Sequence, residues 1–280
     1  MSAYWINKPI LSKLITRALS GALYVALVVG SVLTGAYGLY ILGGLLLFFA
    51  IKEGGDLVKF NGPKAILIVP GLILYNFLVL NRLLELNVPS ELWMILLPFF
   101  YGVILLTKAE SGAQWASKQS FLFLYIVFPV SLFVPLYSQL EISHSGLLIL
   151  YVFITIWAND TFAYLSGSAL GKHKIWPAVS PGKSWEGFAG GFVASLVVGY
   201  IAGLNFSILT IGEGLIFGGL ISLFATIGDF FESALKRHAG VKDSGNILPG
   251  HGGILDRIDS ILFVIPAVFA YLLLLQKITF

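Results

Sequence analysis

The chain has 280 residues, of which 58% are hydrophobic and 11% are charged, and its formal net charge is +3. Soluble domains carry about 25% charged residues, so this composition excludes a water-soluble globular protein and indicates a membrane protein. The absence of cysteine from the sequence excludes disulfides, thiolate metal sites and a cysteine nucleophile. Any metal would have to use oxygen or imidazole ligands.

Nine apolar runs follow one another along the chain, each close to the roughly 20 residues that a transmembrane helix needs. Lys8, Lys13 and Arg17 precede the first run, and no convincing small-residue cleavage site follows it, so we interpret it as an uncleaved first helix. The predicted spans are 18–33, 37–51, 65–80, 92–107, 120–140, 146–166, 187–206, 215–231 and 258–275. We therefore predict an all-α polytopic membrane protein, with an N-terminal bundle (1–145) and a C-terminal catalytic region (146–280).

The distribution of lysine and arginine predicts the orientation of these spans. With nine spans and an internal N-terminus, 15 of the 17 basic residues fall on one side, and only Arg82 and Lys277 fall on the other. Because basic residues accumulate in cytoplasmic loops, the N-terminus is predicted to be cytoplasmic and the C-terminus external. The two longest connections, 167–186 and 232–257, then lie in the cytoplasm, where long loops beside a rigid bundle usually carry function.

Five acidic residues approach or enter the apolar runs near their cytoplasmic ends. They are Asp160, Asp229, Glu232, Asp256 and Asp259. The last four form two pairs spaced three residues apart, so each pair shares one helix face. Ionisable groups inside a span are costly and indicate function. The alternative is that each carboxylate caps a helix or lies at the interface, which suits Asp256 in a first helical turn.

Clustered carboxylates without cysteine or paired histidine favour a hard cation, and Mg²⁺ typically takes one or two carboxylates together with substrate phosphates. Basic residues are interleaved with these acids in both cytoplasmic loops, namely Lys172, Lys174, Lys183, Lys236, Arg237, Lys242 and Arg257. Such residues usually serve only as topology signals or headgroup contacts. Acids for a metal beside bases for phosphate oxygens instead favour phosphoryl or nucleotidyl transfer.

Two short motifs offer contacts to an anion. His251-Gly252-Gly253 precedes the ninth run, where backbone amides at a helix N-terminus could hold an anion, although a simple turn would have the same sequence. The motif from Ser180 to Ser184 is similar to the end of a P-loop, but Pro177 stands where that loop needs glycine, and no strand is predicted before it. Lys183 and Ser184 remain candidates for phosphate contact.

The stretch from Ser233 to Asp259 resembles the signature of phosphatidate cytidylyltransferases, also called CDP-diacylglycerol synthases. The match is carried by Ser233, Lys236, Arg237, Lys242, Asp243, Pro249, His251, Gly252, Gly253, Asp256, Arg257 and Asp259. A second stretch is similar to the same family through Asn159, Asp160, Gly171, Lys172, Ser180, Pro181, Lys183, Glu186 and Gly187. The resemblance covers the C-terminal half closely, whereas the N-terminal half matches only as apolar spans.

The resemblance implies a helical, homodimeric enzyme of a bacterial inner membrane, with a polar pocket that faces the cytoplasm. CTP, phosphatidic acid and membrane lipid are the implied partners, and nucleic acid is not one. The implied cofactor is Mg²⁺, with a monovalent cation such as K⁺ as a further candidate. On this hypothesis a phosphate oxygen of phosphatidic acid attacks the α-phosphorus of CTP, which gives CDP-diacylglycerol and pyrophosphate.

The hypothesis assigns a role to each matching residue. The metal is assigned to Asp229, Asp256 and Asp259, and the catalytic set adds Lys236, Arg237 and Arg257. Substrate binding is assigned to Asn159, Asp160, Lys172, Ser180, Lys183, Ser184, Glu186, Ser233, Lys242, Asp243, His251, Gly252 and Gly253. Two alternatives stay open: a related CTP-dependent lipid nucleotidyltransferase or lipid kinase with another acceptor, and a cation transporter built around intramembrane aspartates.

Overall fold

The computed structural model describes residues 8–60, 71–73, 75–80, 84, 112–138, 142–205, 208–250 and 252–278. Its helices are α1 (Lys8–Leu33), α2 (Ala36–Leu57), α3 (Gly71–Leu80), α4 (112–138, with a π-helical turn at Phe123–Val127), α5 (Ile142–Leu170), α6 (Trp185–Asn205), α7 (Ile211–Ala239) and α8 (Leu255–Leu274). Strands β1 (Lys174–Trp176) and β2 (Ser180–Ser184) form an antiparallel hairpin between α5 and α6.

The length and composition of these helices confirm a helical polytopic membrane protein. Six helices in the described part of the chain are long and apolar enough to cross a membrane, and they comprise α2, the greater part of α4, and α5 to α8. The predicted span 92–107 lies outside the described residues, as does much of the span 65–80. The total of nine spans and the division at residue 145 therefore stay predictions.

Helix α7 extends further than the sequence suggested, because the predicted span ended at residue 231 and the helix continues to Ala239. Lys236, Arg237 and His238 lie in its last turn, where positive charge is favoured by the helix dipole. The helix ends at Gly240, whose φ of 79° is a left-handed conformation that glycine adopts without strain. Lys236 and Arg237, which we had assigned to a loop, are therefore helical.

The C-terminal helices approach one another closely through small residues. A Cβ atom on Gly199 of α6 would lie 2.1 Å from the carbonyl oxygen of Gly214, and one on Gly218 of α7 would lie 2.2 Å from that of Ser195. Small residues four apart let two membrane helices pack backbone against backbone. At the other end of α7, a Cβ atom on Gly228 would lie 2.6 Å from the carbonyl oxygen of Asp259. This crossing fixes the C-terminal part of α7 against the start of α8.

The hairpin between α5 and α6 corrects the prediction that no strand precedes Lys183. Residue Trp176 of β1 pairs with Ser180 of β2, and its indole lies 6.4 Å, centroid to centroid, from the ring of Phe230 on α7. Ser184 ends β2 and caps α6, because its buried hydroxyl accepts the amide of Gly187 at 3.2 Å. The hairpin is thereby held against the C-terminal part of α7.

Candidate active site

Lys236 is the centre of a nearly buried ion-pair network where α7 meets α8. Its Nζ atom lies 2.5 Å from Oε2 of Glu232 and 2.6 Å from Oδ1 of Asp256. The side chains of Lys236, Glu232 and Asp256 are 12%, 1% and 6% exposed. Glu232 lies one helical turn before Lys236, so the extension of α7 brings the two together. In this structure the ammonium group that we predicted for phosphate is bound to two carboxylates.

Asp256 organises the α7–α8 loop, which comprises residues 240–254. Its Oδ2 atom accepts hydrogen bonds from the amide and the hydroxyl of Ser244, both at 2.9 Å, and from the amide of Gly253 at 2.7 Å. Its Oδ1 atom accepts from Lys236. Three donors of this chain thus crowd Oδ2, whereas Oδ1 has one donor and keeps an acceptor position. The capping role left open by the sequence is therefore the one that this geometry favours for Asp256.

Lys183 joins the hairpin to α7 through an ion pair and an aromatic contact. Its Nζ atom lies 2.5 Å from Oδ2 of Asp229 and 4.5 Å from the ring centroid of Phe230. The other carboxylate oxygen of Asp229 accepts the hydroxyl of Ser233 at 3.3 Å. The side chains of Lys183 and Asp229 are 27% and 37% exposed, so both face solvent in part. Lys183, from one matching stretch, thus meets Asp229, which is bonded to Ser233 at the start of the other.

A cavity of about 260 Å³ opens between α1, α5 and α8 beside these groups. Its lining includes Asp160, Asp256, Arg257 and Asp259, together with aromatic rings of α1 and α5. The carboxylates of Asp160, Asp229 and Asp259 are close enough to repel one another electrostatically. Buried Asn159 orients Asp160, because its amide donates to Oδ1 of Asp160 at 3.3 Å. Its oxygen accepts the hydroxyl of Ser222 on α7 at 2.6 Å.

The resemblance implies a Mg²⁺ ion, whose protein ligands would be carboxylates of this site. Within the described residues, no group of three or more histidine, aspartate or glutamate side chains is arranged to hold a metal ion by itself. Mg²⁺ needs fewer protein ligands, because one or two carboxylates and substrate phosphates suffice. Asp229 and Asp259 fit such a site, since each lies at the edge of the cavity or of solvent. Asp256 also lines the cavity and could offer only Oδ1, which it shares with Lys236, so its assignment to the metal stays a prediction.

The other predicted site residues lie around this centre. Glu186 lies in the first turn of α6, and its Oε1 atom is 2.6 Å from Nδ1 of His173. This contact connects the base of the hairpin to the helix. Arg237 donates to the carbonyl oxygen of Val241 at 3.2 Å. Lys172, Lys242 and Asp243 are exposed. Partly buried Gly252 has a φ of 80°. His251 lies outside the described residues.

Glu53 of α2 contacts the α7–α8 loop, although no sequence pattern indicated it. Its buried carboxylate accepts the hydroxyl of Ser244 and the backbone amides of Ile254 and Leu255, at distances of 2.8 to 3.1 Å. The sequence feature that could have indicated Glu53 is an acidic residue just after the second apolar run, next to two glycines. That signal was weak, because interfacial acids at the ends of spans are common and their partners cannot be read from the sequence.

This chain is similar to a protein family over most of its length and to individual relatives over a shorter stretch. Residues 15–275 match the cytidylyltransferase family. Phosphatidate cytidylyltransferases of Staphylococcus aureus (strain COL) and Staphylococcus haemolyticus (strain JCSC1435) are 53% identical over 123 residues and 50% identical over 122 residues. Each alignment covers 42% of this chain and 46% of the relative. The match to these curated relatives therefore spans about half of their length.

Proposed function

The chain belongs to the cytidylyltransferase family, and from that premise we propose that it transfers the CMP moiety of CTP to phosphatidic acid. The products are CDP-diacylglycerol and pyrophosphate. The observation that carries the proposal is the 2.5 Å contact between Lys183 and Asp229. Through the bond of Asp229 to Ser233, this contact links two stretches of sequence that each resemble the family. It lies near a cavity with carboxylates and an arginine in its wall.

The chemistry of this transfer suits the groups at the site. The phosphate of phosphatidic acid is already anionic near neutral pH, so the reaction does not demand a general base. The obstacle is to align two highly negative groups, which cationic side chains and fixed geometry overcome. Lys183 and Arg257 are cations placed at the hairpin and in the cavity wall. Asp229 and Asp259 would hold Mg²⁺, which supplies positive charge to the phosphates when it is bound.

The wider assignment follows the same family. We propose nine spans with the site facing the cytoplasm, and a homodimer in a bacterial inner membrane. A monovalent cation such as K⁺ stays a further candidate. The acids lie toward the predicted cytoplasmic ends of the apolar runs, which disfavours the alternative of a transporter, since transporters place their ion sites near the middle of the membrane.

The reaction is tested by product analysis of the purified protein. It is incubated with CTP labelled at the α- or the γ-phosphate, and with phosphatidic acid or other lipid acceptors. Transfer of the α-label to phosphatidic acid, with release of labelled pyrophosphate from γ-labelled CTP, is the expected result. Transfer of the γ-label to lipid would identify a lipid kinase, and α-label on another acceptor would identify a related nucleotidyltransferase. Either outcome would contradict the proposal.

Reporter fusions test the orientation. A reporter placed after Lys183 or after Lys242 is expected to be cytoplasmic, and one placed between Asn205 and Gly214 is expected to be external. The physical reason is the excess of lysine and arginine on one side of the predicted spans. If both of the first two fusions reported from the same side as Arg82, the orientation would be wrong and CTP could not reach the site from the cytoplasm.

Lys183→Ala is expected to raise the apparent KM for CTP by about tenfold and to change the dependence on phosphatidic acid much less. A lysine acts on phosphate as a point charge, and the triphosphate is the more highly charged substrate. Steady-state kinetics with each substrate varied in turn measure the effect. Lys174→Ala, on the same hairpin and outside the assigned set, is the matched control. A defect confined to the lipid would instead assign Lys183 to phosphatidic acid.

A further inference from the structure

Glu53 bonds both ends of the α7–α8 loop from a helix in the other half of the chain. Its Oε2 atom accepts the hydroxyl of Ser244 at 3.1 Å and the amide of Leu255 at 2.8 Å, and its Oε1 atom accepts the amide of Ile254 at 3.1 Å. Glu53 is 4% exposed and precedes Ser244 by 191 residues. One buried carboxylate therefore sets the position of the start of the loop relative to its end.

The loop is shaped to fit that carboxylate. A Cβ atom on Gly245 would lie 2.3 Å from Oε1 of Glu53, and one on Gly253 would lie 2.4 Å from Oε2. Glycine at both positions lets the backbone close around the carboxylate. Since any larger side chain would displace Glu53 or the loop, the contact is a specific feature of this loop rather than a chance approach of two surfaces.

Glu53 is also linked to the ion-pair network at the site. The hydroxyl of Ser244 lies 3.1 Å from Glu53 and 2.9 Å from Oδ2 of Asp256, so it stands between the two carboxylates. Asp256 in turn pairs with Lys236. The two amides that Glu53 accepts belong to the residues just before Asp256 and Arg257. Any movement of Glu53 is therefore transmitted to those side chains.

We infer that Glu53 is a positioning residue for the proposed transfer, an inference that rests on the proposed function. Its negative charge lies at the positive end of the α8 dipole and is satisfied by N–H and O–H donors. It holds the first turn of α8, and with it Asp256, Arg257 and Asp259, in register with the inner end of α7. Displacement of catalytic groups by about 1 Å can cost about 100-fold in rate, so the contact acts on turnover through those residues.

Glu53→Gln tests this role with little change in shape. Glutamine keeps one acceptor oxygen but places an amide N–H₂ against a backbone N–H, which breaks at least one contact. We expect kcat to fall by roughly 10- to 100-fold, with apparent KM values for CTP and phosphatidic acid within about threefold of wild type. Glu213→Gln is the matched control, because it removes a carboxylate from the capping box of α7 at the opposite end of that helix. Its kcat is expected to be unchanged.

Melting temperature and helicity are measured on the same samples. A kcat within twofold of wild type, or a loss that matches the fraction of unfolded protein, would make Glu53 a stabilising cap only and overturn the inference. Should Glu53→Gln fail to fold, Ser244→Ala removes the shared hydroxyl and leaves the backbone contacts of Glu53, and an unchanged kcat would again overturn it. If the wild-type protein is inactive with CTP and phosphatidic acid, the proposed function and this inference are both overturned. If the wild-type protein is active, the kcat of Glu53→Gln tests this inference alone.

Discussion

Asp256→Asn is expected to lower kcat by at least about 100-fold, equivalent to roughly 2.7 kcal/mol at the barrier, while the helices remain folded. The carboxylate accepts from Lys236 on one oxygen and from Ser244 and Gly253 on the other. An asparagine must direct its N–H₂ group toward one of these sets of donors, so one set loses its acceptor. Either the α7–α8 loop loses the contact that binds it to α8, or Lys236 loses its bond to the first turn of α8.

Steady-state turnover and circular dichroism of the purified variant check this expectation. Glu213→Gln serves as the control, because it makes the same acid-to-amide change in a first helical turn at the opposite end of α7. Near-normal turnover by Asp256→Asn would show that the loop does not need the carboxylate. A full loss of helicity would show that the residue supports the fold of the bundle instead of the site alone.

Lys236→Met is expected to destabilise the protein by about 3–5 kcal/mol, the usual cost of leaving a buried charge without its partner. Methionine fills much of the same volume, but Glu232 and Asp256 would then face each other without a cation between them. Thermal unfolding in detergent, with the yield of folded protein, measures the effect. Lys174→Met is the control, because that lysine is exposed on the hairpin and should tolerate the change.

The double variant Glu232→Gln/Lys236→Met separates charge from packing. It removes one of the two uncompensated carboxylates, so it should recover part of the lost stability relative to Lys236→Met alone. If the single variant unfolded within a degree or two of wild type, the ion-pair network would contribute little. If the double variant were less stable than the single one, shape rather than charge would account for the loss.

The sequence predicted the membrane-spanning helices well, because the lipid environment restricts the structures that an apolar run can adopt. Apolar runs in lipid must be helical, because the backbone finds no water there, and the described spans follow these runs. The end of α7 was misjudged because Lys236 and Arg237 are typical of a loop by composition, whereas the helix dipole favours them in a last turn. The hairpin has strands of three and five residues with a proline in the second, which is too short for a periodic signal.

The candidate site was predictable as a set of residues and not as a set of contacts. Lys183 and Asp229 were both singled out, and the structure brings them together. Asp256 was assigned to a metal, which stays a prediction, and its sequence pattern is the same whether or not the carboxylate also accepts backbone amides. Only the path of the loop shows that it does. Glu53 depends on a contact across 191 residues, which no local pattern contains.

The bond between Glu53 and the α7–α8 loop also bears on the order in which the protein is made. At about 5–20 residues per second of synthesis, α2 leaves the ribosome roughly 10–40 seconds before Ser244 does. During that interval the carboxylate at the inner end of α2 can stay hydrated at the membrane surface, since its partners do not yet exist. The site is thus completed late in synthesis, and a nascent chain that stops before Gly253 contains most of the helices without the contacts of Glu53.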